Sequence, residues 1–122
     1  MPRILIVDDG AANRLLIAAI LRPHGHEVLE AADGNEGLRL AREGAPDLII
    51  IDLFMPLMSG VEFVKTLRAD PSGHTARIAL YTATRPDRAL RDFMQLAGIA
   101  HVIPKPSDPA ELVRIVNDAL AA

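Results

Sequence analysis

Cysteine and tryptophan are absent from this 122-residue chain, and its only aromatic residues are three Phe and one Tyr. Without cysteine there is no disulfide scaffold, no thiolate metal site and no cysteine nucleophile. With so few rings, the core has to be aliphatic, built from Leu, Ile, Val and Ala. Long apolar stretches are missing too: runs such as Leu48-Ile49-Ile50-Ile51 fall far short of the ~20 residues a membrane helix needs. The start is not signal-like, since Arg3 is followed by four apolar residues and then two acids. Nor is there a basic excess: 13 Lys+Arg against 16 Asp+Glu gives net −3, which argues against a general nucleic-acid binder. No repeat, low-complexity stretch or Gly/Ser linker divides the chain. What is present is a 50% hydrophobic, 24% charged composition at a length typical of one domain, which excludes a disordered segment. Residues 1–122 are therefore expected to form one soluble, cytoplasmic globular domain.

The chain has a rhythm of elements. Short aliphatic runs at 4–7, 28–29, 48–51, 78–80 and 100–103 are mostly unbroken rather than alternating, as strands covered on both faces are. Helix-period segments lie between them. Leu112, Ile115, Val116, Ala119 and Leu120 form one apolar stripe; Asp108 is its predicted N-cap, Pro109 its first residue, and Glu111 completes a capping box. Leu90, Phe93, Met94 and Ala97 repeat the pattern up to Gly98. Leu16, Ala19 and Ile20 mark a first helix ended by Pro23 and Gly25; Leu38 and Ala41 mark a second before Gly44; Val64 and Leu67 mark a third before Asp70-Pro71. Five βα units with right-handed crossovers imply an α/β fold, a parallel sheet with helices on both faces. At this size the flavodoxin-like, doubly wound (βα)5 order 2-1-3-4-5 is expected, with ligands beyond the strand carboxyl ends near strands 1 and 3.

Those strand ends carry the chemistry. Strand 1 is expected to end in Asp8-Asp9, strand 3 in Asp52, strand 4 in Thr82 and strand 5 in Lys105, while strand 2 offers only Glu30. Each alone is ordinary for a strand end; their convergence is not. Three close carboxylates repel one another unless a cation sits among them. Oxygen ligands without nearby His or Cys favour Mg2+ or Mn2+ over zinc. A lysine suits a phosphate oxygen, and an aspartate can itself take a phosphoryl group.

The segments Ile4-Leu5-Ile6-Val7-Asp8-Asp9, Asp52-Leu53-Phe54-Met55-Pro56-Leu57-Met58-Ser59-Gly60, Thr82-Ala83 and Lys105-Pro106 run from one end of the chain to the other. In these the chain resembles a response-regulator receiver domain of two-component signalling. The resemblance implies that Asp52 is the phosphoacceptor. It implies that Asp9, Asp52 and the backbone carbonyl of Phe54 bind the Mg2+ (or Mn2+), with Asp8 acting through water or orienting it. Thr82, the Ala83 backbone and Lys105 would contact the phosphoryl oxygens, while Phe54 and Thr84 would tune dephosphorylation. The Lys105–Pro106 peptide is expected to be cis, as in relatives. The phosphoryl donor would be a sensor histidine kinase or a histidine phosphotransfer protein. The output would go to a downstream protein or a covalently linked domain, with a phosphorylation-dependent homodimer left open and no direct contact with nucleic acid or membrane. Such a domain is a self-modifying switch rather than a metabolic enzyme.

Two positions depart from the usual receiver pattern. The aromatic residue often found three before the lysine is Val102 here, beside His101; Tyr81, the nearest ring in sequence, is expected to face the opposite side of the sheet from Thr82. The other is Phe54, an apolar ring two residues past the acceptor, which is expected to exclude attacking water and lengthen the phosphoryl lifetime. Arg85, Arg88 and Arg91, read as early helix 4, suit either a solvated face or the output surface that the resemblance assigns to helix 4, strand 5 and helix 5 together with Val102. His24, His26, His74 and His101 read as structural, and Met55, Leu57 and Met58 as loop packing. Rival classes are an aspartate-nucleophile phosphatase, against which Phe54 stands where a second acid would be needed, and a module that is never phosphorylated.

Overall fold

The computed structural model of the chain describes residues 1–71 and 75–121; His74 and its predicted turn lie outside them, as does Ala122. Strands β1 (Arg3–Val7), β2 (Glu27–Ala31), β3 (Leu48–Asp52), β4 (Arg77–Thr82) and β5 (His101–Pro104) alternate with helices α1 (Ala11–Leu21), α2 (Gly34–Gly44), α3 (Gly60–Ala69), α4 (Arg88–Ala97) and α5 (Pro109–Ala121). All four strand pairings are parallel, and the order is β2-β1-β3-β4-β5. This is the doubly wound, flavodoxin-like (βα)5 sheet expected from the sequence.

Unbroken aliphatic runs form these strands because both faces are covered. Successive side chains point to opposite faces. Ile4, Ile6, Leu48, Ile50 and Tyr81 thus pack on one side with Ile17, Leu21, Leu112 and Val116 of α1 and α5. Leu5, Val7, Ile49, Ile51 and Leu80 pack on the other with Leu38, Phe63, Val64, Leu67 and Met94 of α2, α3 and α4. All five residues of β3 are buried, as befits the middle strand.

The structure moves several details of the sequence expectation. In α1 the buried residues are Ile17, Ala18 and Leu21, whereas Leu16 is 54% exposed. Residues 15–21 are apolar all round, so periodicity cannot choose the inward face and packing against α5 does. After α1 a single 3-10 turn over Arg22–His24 ends at Gly25, whose φ of 84° needs no Cβ penalty. Strand β1 stops at Val7, just before Asp8-Asp9; β2 continues past Glu30 to Ala31; β5 runs from His101, not 100, to Pro104, one residue short of Lys105. The full two-way capping box forms at α3, between Ser59 and Glu62. At α5 the Asp108 carboxylate accepts from the Glu111 N–H at 2.8 Å, which is half of the expected box. Helix α4 starts at Arg88 with Asp87 as its cap, so Arg85 belongs to the preceding loop.

Candidate functional site

The carboxyl ends of β1, β3, β4 and β5 meet at one edge of the sheet. Asp8, just past β1, is 1% exposed. Its N–H donates to the Ala31 carbonyl at 3.1 Å and its Oδ1 accepts from the Gly10 N–H at 2.7 Å. Asp52, the last residue of β3, is 5% exposed, and its Oδ1 accepts from the Phe54 N–H at 3.3 Å. The chain after Asp52 turns closely enough that Gly60 N–H bonds the Leu53 carbonyl at 2.9 Å. A Cβ on Gly60 would stand 2.7 Å from the Asp52 carbonyl oxygen and 2.8 Å from the Leu53 Cα, so the motif requires glycine there. Thr82 ends β4, buried, and its hydroxyl accepts from the Thr84 N–H at 3.1 Å. Its carbonyl accepts from the Lys105 N–H at 3.0 Å, which ties β5's exit to the site. The Lys105–Pro106 peptide is cis.

Lys105 closes the arrangement. Its Nζ is 3.2 Å from Asp52 Oδ1 and 3.3 Å from Asp8 Oδ2. Asp8 Oδ2 is buried and, beyond this ion-pair contact with Lys105, has no hydrogen-bond partner. Asp9, exposed, joins the other two acids: one oxygen from each of Asp8, Asp9 and Asp52 lies within 4.8 Å of the others, the one such potential ligand group among the described residues. Among the described residues, His24 and His26 belong to no such group.

Burial pushes the Asp52 carboxyl above its ordinary range, the Asp8 charge pushes it further, and the hydrogen bond and charge of Lys105 only partly offset them. Burial alone would lower Lys105, but hydrogen bonding to Asp52 and the charges of Asp52 and Asp8 outweigh it and raise the net value. Both members of the pair thus move upward. The asymmetry follows from the charges: Lys105 faces two carboxylates, while Asp52 faces one cation and further acids. The site is short of positive charge, and an orphaned buried oxygen with three convergent carboxylates is what a small hard cation would satisfy.

Arg14 is a site residue that no motif in the sequence singles out. Its guanidinium donates to the Asp8 carbonyl at 2.6 Å and lies 3.5 Å from Glu30. Glu30 is also 3.6 Å from Arg22, so the acid read as a lone strand-2 end group is instead an anchor for two arginines. The available signal was position: Arg14 is the first basic residue after Asp8-Asp9. Tyr81 does face away from the α2–α4 side, as expected, yet its ring reaches Lys105, with Nζ 4.6 Å from the ring centroid.

The tuning and output positions are more open. Phe54 is 65% exposed and lies in an apolar groove with Leu53, Val61, Thr84 and Leu90. Met55 and Met58 pack partly against the core, but Leu57 is 93% exposed at φ 70°, so it does none of the packing expected of it. Val102 pairs with Leu80 on β5 and helps line a cavity of about 540 Å³ with Thr82, Thr84, Arg85, His101 and Arg114. Arg88 and Arg91 are exposed on the first turn of α4.

A parallel, doubly wound sheet with an acidic cleft and one lysine at its switch point defines a class: small α/β domains built to handle a charged group at the strand carboxyl ends. Within that class the chain belongs to the response regulator receiver domain family, whose pattern residues 4–117 match. It is 32% identical over 121 residues to protein PilH of Pseudomonas aeruginosa, covering 99% of each chain. It spans about half of the DNA-binding response regulator MtrA of Mycobacterium tuberculosis. Among solved structures it resembles chemotaxis protein CheY4 of Vibrio cholerae, with a TM-score of 0.90, 31% identity and 98% of each chain covered. It also resembles the receiver domain of sensor histidine kinase PA1611 of Pseudomonas aeruginosa, which has a magnesium ion coordinated in its active-site cleft, with a TM-score of 0.86, 30% identity and coverage of 99% and 98%. The chain is thus a receiver domain of two-component signalling. No helix among the described residues is long and apolar enough to cross a membrane.

Proposed function

We propose that this receiver takes a phosphoryl group from a phosphohistidine of a histidine kinase or phosphotransfer protein onto Asp52. The observation that carries this reading is the meeting of Asp52, Asp8 and Lys105 within 3.3 Å at the sheet edge, with Asp9 completing the acidic cluster. A carboxylate oxygen of Asp52 attacks phosphorus, the P–N bond breaks, and the imidazole leaves with its electron pair. Lys105, already beside Asp52 Oδ1, follows the negative charge onto a phosphoryl oxygen. The Thr82 hydroxyl and the Ala83 N–H are the remaining donors proposed for that group. Asp8, Asp9, Asp52 and the Phe54 carbonyl would hold a Mg2+ ion, or Mn2+, which when bound neutralises charge on the acids and the transferring group. The Gly10 N–H holds the Asp8 carboxylate, and Arg14 fixes the backbone carbonyl of the same residue.

Relay would run through Thr82. Its neighbours Thr84, Arg85 and Val102 line the cavity between the β4–α4 loop and α5, and Arg88 and Arg91 lie just beyond. That face is the proposed contact for a downstream partner or a linked output domain. The reading is tested by incubating the protein with acetyl phosphate and Mg2+ and measuring intact mass. One phosphoryl adduct is expected in the native chain and none in Asp52→Asn; no adduct in the native chain, or an undiminished one in the variant, refutes it.

A further inference from the structure

Two scarce residues of this chain meet in the site. Only Lys65 and Lys105 among its thirteen basic residues are lysines, and Tyr81 is its one tyrosine. The Lys105 ammonium stands 4.6 Å from the Tyr81 ring centroid while lying 3.2 Å and 3.3 Å from the two buried carboxylates. The ring is the rigid partner: Tyr81 is 5% exposed and packed in the cluster beneath α1 and α5. The lysine is the mobile one, a point charge on a four-carbon stem with several rotatable bonds. Carboxylates alone would let that stem exchange between Asp8 and Asp52 or swing outward. A fixed π face attracts the ammonium from a further direction and does not change when Asp52 becomes esterified.

We infer that Tyr81 is a positioning residue for Lys105, its ring face holding the ammonium between Asp8 and Asp52 before transfer and within reach of the phosphoryl oxygen after it. The contact itself is independent of function; its consequence for rate rests on the phosphoryl-transfer reading above.

The scarcity of both residues makes the test clean. In protein labelled with 13C-lysine, two side chains give signals. The Lys105 Hε resonances are expected upfield, shifted by the ring current, in the native chain and in Tyr81→Phe, and near the free-lysine position in Tyr81→Leu. Lys65, 6.0 Å from the Phe93 ring, should not respond to either change and serves as the internal control. With acetyl phosphate and Mg2+, Tyr81→Leu is expected to be phosphorylated about three- to tenfold more slowly, the range a partly desolvated cation–π contact supports. Tyr81→Phe should keep the native rate, because the ring and not the hydroxyl acts. Unshifted Lys105 Hε signals in the native chain overturn the inference, and that measurement stands even if Tyr81→Leu fails to fold. A native rate in folded Tyr81→Leu, or an equal slowing in Tyr81→Phe, overturns it as well. A native chain that forms no adduct removes the phosphoryl-transfer reading instead, and the lysine spectra still decide the contact.

Discussion

Replacing Asp52 with asparagine should make the metal-free protein more stable. Asp52 shares a 4.8 Å cluster with Asp8 and Asp9 and has one nearby cation, Lys105 Nζ at 3.2 Å. At an effective dielectric of about 20, the buried Asp8–Asp52 pair costs about 3.5 kcal/mol, the exposed Asp9 adds only a solvent-screened fraction of that, and the lysine contact returns about 5 kcal/mol. Attraction and repulsion therefore come close to cancelling, and the cost of burying the carboxylate, the largest cause of its raised pKa, tips the balance against the ionised form. Asparagine keeps the shape and a polar group, and Lys105 retains Asp8, so we expect a net gain of about 1–2 kcal/mol near pH 7. The sign follows from linkage. The folded-state pKa of Asp52 is raised above the unfolded value, so its ionisation costs stability at neutral pH, and that cost is lifted as pH falls through the folded value. The gap between variant and native chain should therefore narrow toward acid. Urea unfolding followed by circular dichroism, with EDTA and then with saturating Mg2+, checks this at constant slope. In Mg2+ the advantage should shrink or reverse, because an ion bound only to the folded native site stabilises it. A variant no more stable than the native chain in EDTA, or an equal gap with and without Mg2+, would refute the charge argument.

Other perturbations follow from the same contacts. Gly60→Ala drives a Cβ into the backbone at Asp52 and Leu53 and should cost about 1–3 kcal/mol in chemical unfolding. His26 is 6% exposed with no partner for its Nδ1, and burial, aided by the neighbouring His24, lowers its pKa. The folded state therefore binds fewer protons, and its stability falls as pH drops below about 6.5, by at most about 1.4 kcal/mol per pH unit. His26→Leu should flatten that slope between roughly pH 6.5 and 5, and an unchanged slope would exonerate the histidine. Phe54→Asn, which puts a polar group where an exposed ring stands two residues past the proposed acceptor Asp52, should hasten phosphate loss several-fold when the phosphorylated protein is followed over time.

Much of the fold was legible because its signals are local. Residues 48–51 could only be a strand covered on both faces, and the strand ends named Asp8, Asp52, Thr82 and Lys105 as a set. The Asp108 cap was equally readable, since Asp-Pro before an apolar stripe sets the helix start. Illegible parts were those where several local choices satisfy the same pattern. Residues 15–21 present apolar groups on every face of α1, so nothing in their spacing favoured Ile17 over Leu16. Arg85 looked helical by composition, yet the Asp87 cap, accepting from the Leu90 N–H at 2.8 Å, begins α4 after it. Leu57 read as a packing residue by its type, while the turn after Pro56 leaves it in solvent.

The order of runs and stripes along the chain specifies a parallel sheet and the residue types at its carboxyl edge. Unbroken apolar runs, helical periodicity and capping are patterns among near neighbours, and they need no knowledge of what lies across the molecule. Which groups share space at that edge depends on the folded chain. Tyr81 and Lys105 are 24 residues apart, read from their numbers. They touch because β4 and β5 pair in parallel with Tyr81 opposite Ile103, which brings the exit of β5 over that ring. Glu30 reaches Arg14, which holds the Asp8 carbonyl, because β2 lies beside β1. Electrostatics and packing act through space, and register between strands is set by the whole sheet burying its two faces at once.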